Sequence, residues 1–207
     1  MELRVHRIPW STNVERIALA AAHKSVPVTY VDHDPEDRSS LRTLSGQELV
    51  PVAEFPGGEI LADSPRILRR LEELVPEPPL WPHDPGRRAE ADIFVEWFNR
   101  VWKVPPNAID AERRRAEPDT DRIRLWAEEL RGWLPLFESL LTGRPFLLGD
   151  TLGIADVVTF PFLRYGLLHD PADEDPFHHV LVEEMPITPD YPLLTEWVQR
   201  LDQLPRA

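Results

Sequence analysis

Two short stretches carry hydroxyl and amide groups just ahead of a helical pattern. Ser11-Thr12-Asn13 precedes Val14, Ile17, Ala18 and Ala21, which recur at helical spacing. Asp63-Ser64-Pro65 stands in the same way before Ile67, Leu68, Leu71 and Leu74, with a proline where a first helical turn accepts one. Ser, Thr and Asn are preferred helix caps, and Thr12-Asn13-Val14-Glu15 reads as a capping box. A helix start also presents unpaired N–H groups and the positive end of the helix dipole, so the same residues can hold an anion. The local sequence leaves both readings open. A third cluster sets His178-His179 near Asp170, Asp173, Glu174 and Asp175. No third ligand stands at a defined spacing, so a solvated acidic loop accounts for it better than a metal site.

Composition narrows the chemistry further. The 207 residues include 23 Lys+Arg and 36 Asp+Glu, a net charge of −13. No basic stripe is present, which argues against a nucleic-acid partner. The absence of cysteine excludes disulfides, thiolate metal sites and a cysteine nucleophile, and fits a reducing compartment. No apolar run is long enough to span a membrane, and Met1–Arg7 lacks a signal-peptide core. The expectation is a cytoplasmic protein with no membrane partner. Proline is about twice as frequent as usual. Seven Trp, eight Phe and a 42% hydrophobic content nevertheless describe a folded chain rather than a disordered one.

The elements that must position the two helix starts can be read from the prolines, which punctuate helices. The cluster Pro76–Pro85 reads as a linker between a first domain, 1–75, and a second, 86–207. In the first domain a strand over Leu3–Ile8 leads to the first helix. Val26–Val31 reads as a second strand, and an irregular stretch follows. A hairpin then turns at Pro56-Gly57-Gly58, and the second helix closes the domain. The order is βαβ-ββα. Everything after the linker reads as helical. Phe94, Trp97, Phe98 and Trp102 share one apolar face of a helix over 86–104 that ends at Trp102–Asn107. Ile123 through Leu141 mark a longer helix and Leu194 through Leu201 a last one. Pro135 and Pro161 fall inside helical patterns, where a kink or break is expected. The proline-rich stretch 171–192 reads as a rigid acidic loop.

This order resembles the cytosolic glutathione transferase superfamily, which joins a thioredoxin-like domain to an all-helical one. Four motifs carry the resemblance. Ser11 stands five residues before Arg16 in Ile8–Leu19. Leu49-Val50-Pro51-Val52 is similar to the family's Val-Pro turn, whose proline is cis. Asp63-Ser64 resembles its acidic-Ser pair. Gly149-Asp150 through Ala155-Asp156 resembles its helical-domain folding motif, with Gly153 where the family has Ser or Thr. Tyr191–Trp197 is similar to the closing helix.

The resemblance implies a serine-type enzyme that conjugates glutathione, as co-substrate, to a small hydrophobic electrophile. Ser11 would stabilise the thiolate, with Thr12 and Asn13 able to share the task. Val50 and Pro51 would present backbone groups to the cysteinyl part, and Asp63 and Ser64 would hold the γ-glutamyl end. Gln47 is a candidate for the glycine carboxylate, where the family often has Lys or Gln. The electrophile pocket, which in the family lies between the domains, would draw on Trp10, Trp97, Asn99, Arg100 and Trp102. No metal is implied, and a homodimer is. The alternatives are a glutathione-dependent isomerase or dehalogenase of the same fold, or a non-catalytic binding module.

Overall fold

Alternation along the first strand decides which way the sheet faces. Leu3 and Val5 are fully buried on one face of β1 (Leu3–Arg7), while Arg4 and His6 point to the other. A computed structural model describes residues 1–207. β1 pairs in parallel with β2 (Val28–Asp32) and antiparallel with β3 (Val52–Glu54), which pairs antiparallel with β4 (Ile60–Ala62). The sheet order is β2-β1-β3-β4. The β1–β2 crossover runs through α1 (Thr12–His23), whose Ile17, Ala20 and Ala21 are fully buried. α3 (Ser64–Leu74) packs beside α1 and buries Ile67, Leu68 and Leu71. Gly57 and Gly58 adopt positive φ in the β3–β4 turn, which a side chain would resist.

The stretch between β2 and β3 is not wholly irregular: α2 (Ser39–Ser45) forms there and ends on Gly46 in the left-handed conformation. A side-chain chain crosses the open face of the sheet toward this helix. His6 Nε2 lies 2.8 Å from Glu54 Oε1, His6 Nδ1 lies 2.8 Å from His33 Nε2, and His33 Nδ1 lies 2.9 Å from Ser40 Oγ.

The chain divides into two compact units. One comprises Met1–Trp81 with Leu204–Ala207, and the other Pro82–Gln203. Residues 76–81 are held firmly within the first unit. Buried Lys24 pairs with Glu72 at 2.6 Å and donates to the carbonyls of Val75 (2.7 Å) and Pro78 (2.9 Å). The Glu72 carboxylate accepts the backbone N–H of Leu80 at 3.1 Å and of Trp81 at 3.1 Å. The last residues join the same unit: the Ala207 N–H donates to Ala18 O (3.2 Å), Tyr30 Oη donates to Ala207 O (2.9 Å), and Arg206 pairs with Glu15 (3.0 Å).

The second unit is all helical. α4 (Pro85–Trp97) runs into a π-helical turn, Phe98–Trp102, and the chain continues as α5 (Val104–Arg113). Val104-Pro105-Pro106 therefore opens a helix rather than ending one, because proline suits a first turn. The longer helix breaks as expected near Pro135, into α6 (Thr120–Gly132) and α7 (Leu134–Leu140). Pro161 breaks nothing: α8 (Ile154–Leu163) runs through it with all ten residues buried. The expected loop over 171–192 contains α9 (Pro176–Glu184), and α10 (Pro192–Asp202) follows. No helix is long and apolar enough to cross a membrane.

Within this unit an aromatic cluster forms the centre. Phe98 stacks on Trp102 at 4.4 Å, and Phe162 meets both rings edge-on at 5.6 and 6.0 Å. His178 is not in a solvated loop. It is buried on α9, its Nδ1 2.8 Å from the Asp173 carboxylate, which also accepts from Tyr165 Oη at 2.8 Å. Burial pushes Asp173 up, but bonds from Tyr165, the Asp175 N–H and His178 outweigh it and hold the carboxyl below its ordinary value.

Candidate functional site

The sequence reading set Ser11, Thr12 and Asn13 on one helix start and Asp63 and Ser64 on another. The fold brings these two starts together. Ser11 is the N-cap of α1, with φ −60° and ψ 114°, and its Oγ accepts the Val14 N–H at 3.4 Å. The cap is thus Ser11, not Thr12, because the helix begins one residue earlier than the capping-box reading requires; Thr12 is buried in the first turn. That cap uses the lone pair of the Ser11 hydroxyl. The hydroxyl proton remains able to donate, so capping and anion binding do not compete. Trp10, just before it, has φ 68° and an exposed ring.

Ser64 begins α3 and is buried. Its Oγ accepts from Arg16 Nη1 at 3.1 Å and lies 3.5 Å from Asn13 Oδ1, tying the start of α3 to the first turn of α1. Arg16 is fully buried. Burial lowers its pKa to about 9, with Asp63 pulling it back up, so it stays cationic at neutral pH. Asp63 is exposed with φ 78°, a left-handed conformation that only a well-defined turn holds for a non-glycine residue. Sequence spacing singled out Arg16 only as a landmark. Its contact to a residue 48 positions on is tertiary and leaves no local signal.

The Val50–Pro51 peptide is cis and leads directly into β3, the strand beside β1. Gln47 spends its amide within its own loop, donating to Leu49 O at 2.8 Å and to Ser45 Oγ at 3.2 Å. In the second unit, Trp97 is half-buried and meets Trp133 edge-on at 5.1 Å. Asn99 donates to Val95 O at 2.8 Å, and Arg100 pairs with Glu96 at 2.5 Å on an exposed face. Trp102 is fully buried and stacks on Phe98 within the aromatic cluster, on the core-facing side of its helix.

A four-stranded sheet with its first helix in a parallel crossover, followed by an all-helical unit, defines a thioredoxin-like domain joined to a helical domain. Known proteins narrow that class. Residues 5–79 match the family model of the glutathione S-transferase N-terminal domain, and residues 126–205 match that of the C-terminal domain. The chain belongs to the glutathione S-transferase superfamily.

Among its relatives, FtsZ-localized protein A of Caulobacter vibrioides is 29% identical over 168 residues, covering 75% of this chain and 73% of that protein. Maleylacetoacetate isomerase of Pseudomonas aeruginosa is 30% identical over 172 residues, covering 77% and 81%. The fold is also that of a glutathione S-transferase from Methylobacterium radiotolerans, solved in complex with glutathione sulfonate. Its TM-score is 0.76 at 22% identity, covering 100% of this chain and 96% of that one.

Proposed function

We propose that the protein is a glutathione transferase whose first unit holds glutathione and whose Ser11 stabilises the thiolate during conjugation to a small hydrophobic electrophile. The observation that carries this is the convergence of the α1 and α3 starts, linked through Asn13, Ser64 and Arg16. A free thiol has a pKa near ~8.5 and is mostly protonated at neutral pH. A hydroxyl donor and helix-start N–H groups favour its anion. In this reading Ser11 donates to sulfur, and Thr12 and Asn13 flank it. The Val50 backbone pairs with the cysteinyl part in the manner of an added strand. Ser64 takes the γ-glutamyl carboxylate and Asp63 its ammonium. Trp10 offers an apolar face to the electrophile beside Ser11. The protein works as a homodimer, which sedimentation measures.

The test is turnover of a generic aryl halide with glutathione, together with calorimetric binding. Ser11→Ala removes a hydrogen bond to a charged group, a loss of about 1.5–3 kcal/mol, or roughly ten- to a hundredfold in kcat/KM. The pKa of the bound thiol should rise in parallel. Full turnover by Ser11→Ala would move the role to Thr12 or Asn13. Absence of both binding and turnover in the wild type would remove the transferase reading.

A second reading has specific support in the 30% identity to a maleylacetoacetate isomerase. An isomerase uses the same thiolate but returns glutathione at each turnover. Glutathione consumption measured against product separates the two. Binding without turnover on any electrophile would favour a binding module.

A further inference from the structure

We infer that Arg16 is a positioning residue that fixes the polarity of the Ser64 hydroxyl, making it a dedicated donor to a ligand carboxylate. This rests on the reading of Ser64 as the γ-glutamyl contact.

Each of the two groups is limited in what it can do in a hydrogen bond. A guanidinium only donates, and a serine hydroxyl has one proton and lone pairs on its oxygen. Arg16 Nη1 sits 3.1 Å from Ser64 Oγ, so that oxygen is the acceptor. The hydroxyl proton must then point elsewhere. The acceptor nearby is Asn13 Oδ1 at 3.5 Å, longer than an ordinary O–H···O bond of about 2.7–2.8 Å. A carboxylate arriving at the start of α3 offers a stronger acceptor and can take that proton with little rearrangement.

Burial makes the device rigid. Arg16 is fully buried and Ser64 nearly so, and both lie on helices packed against each other. Neither side chain has solvent to compete for the contact. The guanidinium also adds a fixed positive charge behind the hydroxyl in a protein whose net charge is −13. Arg16 does not need to touch the ligand: it acts through Ser64. The chemistry selected is a carboxylate next to the exposed Asp63, the arrangement of an α-amino acid end group.

The experiment compares two probes, glutathione and an analogue whose γ-glutamyl α-carboxylate is amidated, by calorimetry on the full chain. Arg16→Met keeps the length and removes the donor and the charge. It should weaken glutathione binding roughly tenfold or more and leave the affinity for the amidated analogue unchanged. In a Ser64→Ala background, Arg16→Met should have little further effect, since the residue it acts through is gone. Arg16→Lys keeps the cation on a shorter arm and should show a smaller loss, again confined to glutathione.

If Arg16→Met does not fold, Arg16→Lys decides alone. Selective loss supports the inference, while unchanged affinity or equal loss for both probes overturns it. An Arg16→Met effect that persists undiminished in Ser64→Ala overturns it as well. A wild type that binds neither probe removes the reading of Ser64 itself, and the inference with it.

Discussion

Asp156 is ringed by donors. Its carboxylate accepts from the Leu147 N–H (2.9 Å), the Gly153 N–H (3.0 Å) and Trp197 Nε1 (2.8 Å). Burial pushes its pKa up to about 6, against the pull of those bonds. Asp156→Asn would turn an NH2 toward one of the donors, and thermal unfolding should show a loss of about 1–3 kcal/mol at neutral pH. The pH dependence has a definite sign. The folded pKa lies above the ordinary 3.8, so the native state binds more protons than the unfolded state in between. That contribution is full below the unfolded value and is lost as pH rises through about 6. The advantage of wild type over Asp156→Asn should therefore shrink from about pH 4 to about pH 7.

At this scale the sequence was half informative. The Gly149–Asp156 stretch was legible as a folding motif through its resemblance to the family, and the Asp156 carboxylate does accept from its own turn at Gly153. Trp197, the donor 41 residues on, was invisible because no local pattern records a tertiary contact. The same limit hid the contact of Arg16 with Ser64. Period identifies a face, never what covers it.

Elements were legible where local chemistry and burial agreed. The two helix starts and the hairpin stand where turn and cap residues put them. α9 was missed although Asp175-Pro176, a cap followed by a first-turn proline, marks its start; the Asp175 carboxylate accepts the Phe177 N–H at 2.9 Å. Proline density masked the signal. Pro161 misled in the opposite direction, since a helix buried along its whole length is held by packing even where one backbone bond is missing. The turn after α8 carries a sharper requirement. A Cβ on Gly166 would lie 2.4 Å from Met185 O and 2.9 Å from Ile187 Cγ1, in the segment that leaves α9. Both neighbours are buried, and Ile187 N–H already donates to Gly166 O at 2.7 Å. Gly166→Ala should destabilise the protein by about 1–3 kcal/mol through overpacking, read as a lower denaturation midpoint with an unchanged slope.

The whole molecule sets the long-range field. Its charge of −13 repels an anion such as glutathione at long range, and under the proposed function the α1 and α3 starts and Arg16 supply the local attraction. Salt screens the distant charges more than the buried one. The Debye length shortens from about 30 Å at 0.01 M to about 8 Å at 0.15 M. The KM for glutathione should accordingly fall as ionic strength rises over that range. A KM that rises steadily with salt would mean that exposed cations dominate capture.

Two units with one interrupted in sequence also have a temporal side. Leu204–Ala207 complete the first unit, with Ala207 on α1 and β2 and Arg206 on Glu15. A ribosome makes these residues only after all of Pro82–Gln203. The first unit therefore cannot complete its own contacts until Leu204–Ala207 have emerged, after the whole of the second unit has been synthesised.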